Sequence, residues 1–247
     1  MKTICKFTST VRESENQTGS LALPSVFSSL FWQQRGLPLL VAGLAVIPTA
    51  RLHAAEPEAT PAPIPFSEIG AKATADYQGD ALGIIATDDG ATLRTGFQKL
   101  SGTVTREGLR LESTDGDGGG LHLSAISIGR GSVHTQLDTV GTVAVADKLV
   151  TFTRPGLTEE YSVSVDGVRQ DFIVAAPPAG TGALHLELGL TGATAESAAD
   201  GARLTLDGSA RVLAYNRLHV TDATGRELVA KLEVLSAARL AVLVEDA

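Results

Sequence analysis

Past residue 80 the chain alternates apolar and polar residues with period two, in short runs rich in Val, Leu, Ile and Thr. Asp-Gly, Glu-Gly and similar pairs break these runs at roughly 8–12-residue spacing, the pattern of an all-β sandwich or barrel. The clearest hairpin is Glu160–Val165, Asp166-Gly167, Val168–Phe172. With Asp-Gly as a two-residue turn, Val165 faces Val168, Val163 faces Gln170 and Tyr161 faces Phe172. One face then carries Tyr161, Val163, Val165, Val168 and Phe172; the other carries Ser162, Ser164, Arg169 and Asp171. A second hairpin is expected where Leu218 and Val220 enter the turn Asp222-Ala223-Thr224-Gly225 and Leu228, Ala230, Leu232 and Val234 leave it. Leu240, Val242 and Val244 alternate in a further strand, and Val143 and Val145 meet Leu149 and Val150 across Asp147-Lys148. Leu121 and Leu123 have one parity and Ile126 and Ile128 the other, which predicts a β-bulge or a strand that switches faces. Only one segment has helical spacing: Phe66, Ile69, Ala73 and Tyr77, with Ser67 as N-cap and a stop near Gln78-Gly79.

The first 55 residues differ from the rest. They hold the chain's single Cys (Cys5), Met (Met1) and Trp (Trp32). An apolar run, Leu37 to Ile47, follows Arg35 and precedes small residues ending at Ala54-Ala55. That run is short for a membrane span and suits the core of a signal peptide, despite a long preceding region that carries Glu13 and Glu15. Residues 1–55 are therefore expected to be a leader with a long n-region, touching a membrane only if uncleaved. Residues 56–65 read as a Pro-rich linker, 66–140 as a first β-rich module with the helix, and 141–247 as a second β-sandwich module. The fold class expected is all-β, an antiparallel β-sandwich, one extended or two stacked.

Charge narrows the function. The 247 residues carry 20 Lys and Arg against 28 Asp and Glu, net -8, and the excess of acid grows once residues 1–55 are removed. Nucleic acid is not an expected partner, since its phosphates require a basic face. Past residue 55 no Cys remains, which removes thiol nucleophiles, disulfides and Cys-ligated metals from that part.

Candidate chemistry is sparse. Asp115-Gly116-Asp117-Gly118-Gly119-Gly120 places two carboxylates on a Gly-rich loop, but a calcium loop needs a closing acid, and Leu121 follows instead. His122, His134, His185 and His219 are scattered, with no pair at the i, i+4 spacing of a helical zinc site. There is no Gly-x-Ser-x-Gly elbow, His-Glu-x-x-His pair or phosphate-binding Gly loop. Glu159-Glu160 and Asp88-Asp89 are neighbours whose side chains point to opposite faces of a strand, so they are expected to be solvated rather than paired for acid–base work. No catalytic, cofactor-binding or metal-ligating residue is assigned, and no cofactor is expected.

Three stretches carry a resemblance: Phe152 through Phe172; Pro178-Ala179-Gly180 with Leu184 to Leu188; and Ala214 to Leu218 leading to Thr221 through Leu228. Together with Ile69 to Asp80 they resemble the N-terminal β-rich module of very large exported bacterial surface proteins, which precedes β-propeller-type or other extracellular repeats. The resemblance spans about residues 66–247 and implies neither an activity nor functional residues. In such proteins a further strand follows the equivalent of Val244–Ala247, so the second module is expected to lack its last strand and to expose residues 239–246 as an edge. The function expected is that of a non-catalytic structural or capping module at the cell surface, the alternative being a polysaccharide- or protein-binding sandwich acting through its loops.

Overall fold

The computed structural model describes residues 5–14, 69–116 and 118–246. In chain order, β1 (Cys5–Glu13) is followed by α1 (Ile69–Asp76), β2 (Leu82–Thr87), β3 (Gly90–Thr95), β4 (Leu100–Thr105), β5 (Gly108–Ser113), β6 (Gly120–Arg130) and β7 (Val133–Gln136). Next come β8 (Thr142–Ala146), β9 (Leu149–Arg154), β10 (Leu157–Ser164), β11 (Gly167–Val174) and β12 (Leu184–Thr191). The last five are β13 (Ala193–Ala198), β14 (Gly201–Leu206), β15 (Val212–Asp222), β16 (Val229–Ser236) and β17 (Arg239–Glu245). They form two antiparallel sheets. Sheet A runs β13-β14-β15-β1-β11-β10-β9-β8, and sheet B runs β16-β17-β12-β6-β5-β4-β3-β2, with β7 also on β6. The all-β, sandwich-like class expected from the alternation is the class observed.

Period-two alternation sets the core. In β12, Leu184, Leu186, Leu188 and Leu190 are all buried while their neighbours are half-buried or exposed. Leu121, Leu123 and Ala125 of β6 face the same interior, and Ile128 joins them after the chain changes parity. The change is a bulge: Ser127 pairs with Glu187 and Ala125 with Leu188, leaving Ile126 without an opposite number.

Several expectations change. The boundary at 140/141 is not one, because residues 5–14 and 69–246 belong to one compact unit with one core cluster. The chain changes sheet repeatedly, and β12, β16 and β17 return to the sheet begun by β2–β6. β17 is not an exposed edge either. It lies between β12 and β16, with Leu240, Ala241, Val242 and Val244 buried.

The largest change concerns residues 5–13, expected to lie in a leader outside the fold. They form β1 in the interior of sheet A, antiparallel to both β11 and β15. The period-two pattern of Phe7, Ser9 and Val11 against Thr8, Thr10 and Arg12 is strand-like, but without an Asp-Gly or similar turn beside it, it gave no hairpin signal. The apolar run 37–47, the cleavage region at 52–55, the linker 56–65, Phe66, Ser67 and Asp117 lie outside the described residues. Among the described residues no helix is long and apolar enough to cross a membrane.

The expected hairpin exists with its register displaced by two residues. Val163 pairs with Val168, Tyr161 with Gln170, and Ser164 with Gly167, so the two-residue turn is Val165-Asp166. The shift keeps each side chain on its predicted face. It places Gly167 beside β1: at φ 129°, Gly167 passes so close that a Cβ there would lie 2.1 Å from the Val11 carbonyl oxygen. Only glycine fits, and it fits inside the strand rather than in the turn. The turn Asp222–Gly225 also forms, closed by Gly225 N–H donating to Asp222 O at 3.0 Å. It closes a short hairpin, with Thr221 opposite Glu227 and Leu228 N–H donating to Val220 O at 2.9 Å. The pairing goes no further, because β15 belongs to sheet A and β16 to sheet B. Both arms are apolar since both sheets face one core, which local pattern does not distinguish from a longer hairpin.

Candidate functional site

The polar groups that the sequence scatters converge inside sheet A. β9 carries Val150, Phe152 and Arg154 inward, β10 carries Leu157, Glu159 and Tyr161, and β11 carries Val168, Gln170 and Phe172. Alternation therefore buries Arg154, Glu159 and Gln170 with the apolar residues. Glu159 sits opposite Phe152, one diagonal step from Arg154. The Arg154 guanidinium pairs with Glu159 Oε1. Glu159 Oε2 accepts hydrogen bonds from Tyr161 at 2.7 Å and Gln170 at 2.8 Å. Tyr215 of β15 donates to Gln170 Oε1 at 3.2 Å, reaching across β1, whose Ser9 lies in register with Gln170. The small side chain at Ser9 leaves that path open.

Both charges are deeply buried, with Arg154 4% and Glu159 0% exposed. Burial pushes the Glu159 carboxyl upward, and Arg154 with the two donors pulls it back. Tyr161 is raised well above its ordinary range by burial and by the neighbouring carboxylate, and Tyr215 by burial. These hydroxyls stay protonated and act as donors. The expectation that Glu159 and Glu160 are solvated fails for Glu159. Glu160 points outward and receives Lys6 at 2.9 Å. Asp88 and Asp89 are exposed, as expected.

Arg154 also ties sheet A to sheet B. Its Nη1 donates to the carbonyls of Ala125 and Asp138, each at 2.9 Å. The bulge at Ile126 accounts for this: it interrupts the β6–β12 ladder, so the Ala125 carbonyl accepts from Arg154 and the Ile126 carbonyl accepts from Leu137 N–H at 2.9 Å. The guanidinium stacks 4.8 Å from the Phe152 ring centroid.

Beside this knot lies a cleft of about 370 Å³. Arg154 lines it with Glu107, His122, Ser124, Gln136 and Thr139. His122 is held below its ordinary pKa, chiefly by burial and then by Arg110, so it is neutral at pH 7 and can both donate and accept. With Arg154 balanced by Glu159, the cleft presents mostly neutral hydrogen-bonding groups.

The structure brings together one histidine pair that spacing does not reveal. His134 of β7 and His185 of β12 both stand opposite Gly129 of β6. Glycine places no side chain between them, and the rings meet edge to face at 4.9 Å between centroids. His185 is pushed below its ordinary pKa by burial and by His134. Only the strand order β7-β6-β12 carries that signal, since the two residues lie 51 positions apart. His219 is exposed and meets Glu227 at 3.2 Å. Asp115, on the loop weighed for calcium, pairs with Lys99 at 2.8 Å. Among the described residues, no group of three or more His, Cys, Asp or Glu is placed to hold a metal ion.

Comparison with known protein families, with curated proteins and with solved structures finds no match to the chain.

Proposed function

We propose that the chain is a non-catalytic structural module of an exported cell-surface protein. The observation that carries this reading is the use made of the charged and polar core groups. Arg154, Glu159, Tyr161, Gln170 and Tyr215 spend their hydrogen bonds on each other and on two backbone carbonyls, joining the two sheets. A buried network bonded chiefly to itself, with Arg154 Nε alone among these five residues' buried polar atoms left without a partner, favours one packing of the sheets over others rather than turnover of a substrate. The apolar run at 37–47 and the acidic balance suit an exported, soluble domain. Mass spectrometry of surface, medium and cytoplasmic fractions tests the export. A product carrying residues 69–246 at the surface or in the medium is expected, and one confined to the cytoplasm overturns the reading.

The cleft favours a second reading, a binding module for a neutral polyhydroxylated ligand such as a glycan. His122, Ser124, Gln136 and Thr139 offer both donors and acceptors without net charge. A glycan array separates the two: saturable binding abolished by Gln136→Ala supports the second reading, and an empty array leaves the first.

A further inference from the structure

β1 occupies a place in sheet A that another chain can fill. Its seven pairs with β11 run from Cys5 opposite Val174 to Val11 opposite Val168. On its other side Cys5 stands opposite Asp222 and Glu13 opposite Leu213. β11 and β15 therefore share no backbone ladder; apart from the Tyr215–Gln170 hydrogen bond they are joined through β1. With β1 withdrawn they would stand about 10 Å apart, two strand spacings, too far to pair directly. Both would present unpaired N–H and C=O groups toward the gap.

Three observations make this gap an acceptor rather than a fixed part of the sheet. First, β1 is local to neither neighbour, since 54 residues separate Ser14 from Ile69. While intact, a tether of that length still holds β1 at an effective concentration of about millimolar; once it is cut, β1 is a separate segment that a strand from elsewhere can replace. Second, β15 yields to its occupant. The ladder slips between Thr8 and Thr10, and Arg217, opposite the slip, takes φ 60°, a left-handed conformation that costs a non-glycine residue. Third, the outer rim is charged for one kind of strand. Lys6 lies 2.9 Å from Glu160 and 3.0 Å from the buried Asp171, and Arg169 donates to Thr8 at 3.2 Å.

We propose that the gap between β11 and β15 is a strand-acceptor groove, and that its occupant in the exported form is an extended segment of a partner chain with the β1 pattern. That segment runs antiparallel to both neighbours. It places a small residue at the Ser9 position, an aliphatic one at the Val11 position, and a cation where Lys6 meets the two carboxylates. The cellular setting rests on the export reading, because cleavage near Ala55 would carry β1 away; the groove itself does not.

The test uses the full chain with a protease site inserted after Ala55, folded first, then cut and freed of the 1–55 fragment by affinity capture of that fragment in mild denaturant before return to buffer. A fluorescein-labelled peptide of residues 6–14 is the probe, read by anisotropy. Saturable binding to the cut protein is expected, at least tenfold tighter than to the uncut chain, and a Lys6→Glu peptide is expected to bind at least tenfold more weakly. If cutting unfolds the protein, the peptide is expected to restore its far-UV strand signal. Equal binding by cut and uncut protein overturns the proposal. So does no binding by a cut protein that stays folded, or no recovery of one that unfolds. Fractionation decides export separately, so failure of one reading is distinguishable from failure of the other.

Discussion

The two sheets solve the same packing problem differently. Sheet B lines the core with Leu93, Leu109, Leu111, Leu121, Leu123, Leu186 and Leu188, and its stability follows from apolar area removed from water. Sheet A lines it with four aromatic rings, Phe152, Tyr161, Phe172 and Tyr215, and with the charged and polar row Arg154, Glu159, Gln170 and Ser9. Leucines tolerate sliding, because any aliphatic neighbour serves. A carboxylate that must meet a guanidinium, a phenol and an amide does not. Sheet B thus supplies bulk, and sheet A fixes how the sheets meet.

This contrast can be broken most severely at the ion pair. Glu159→Gln leaves the Arg154 guanidinium buried without a counter-charge and is expected to cost about 3–5 kcal/mol in urea unfolding. The double substitution Arg154→Met, Glu159→Leu is expected to recover most of that loss while broadening side-chain NMR lines, which would separate stability from specificity. In sheet B, Leu123→Ala is expected to cost about 2–4 kcal/mol, with no change in the pH dependence of unfolding. Tyr215→Phe removes one buried hydrogen bond and is expected to cost about 1 kcal/mol. The smallest effect is one of pH. His122 and His185 have folded pKa values held below 6.5, so the unfolded chain takes up their protons first. Stability from these two is full above pH 6.5 and lost as pH falls through their folded values. The substitution His122→Gln is expected to reduce that slope in chemical denaturation between pH 7 and 5.

The sequence makes sheet B far more legible than sheet A. Alternation alone places Leu240, Val242 and Val244 inward, and the parity break between Leu123 and Ile126 announces a bulge or a change of face. What a bulge exposes is not local: Ala125 and Ile126 offer their carbonyls to residues 29 and 11 positions away. Glu159 looks like half of a solvated acid pair until β9, β10 and β11 are placed side by side. Gln170 falls on the predicted inner face, but its polarity gives no hint that it bridges Glu159 and Tyr215. Gly167 is needed inside β11 because Val11 crowds it, and no turn rule applied to residues 160–172 includes β1. The same holds for His134 and His185, whose meeting requires knowing that Gly129 lies between them.

The position of β1 also sets a clock. Its partners on β15 lie about 200 residues later in the chain. At a synthesis rate of about 5–20 residues per second, the first strand waits about 10–40 s before its second neighbour exists. Throughout that interval the segment from Cys5 to Glu13 is unpaired on the β15 side and accessible to whatever meets a nascent chain at the ribosome exit. A factor that binds it then acts before sheet A can close around it, ahead of folding.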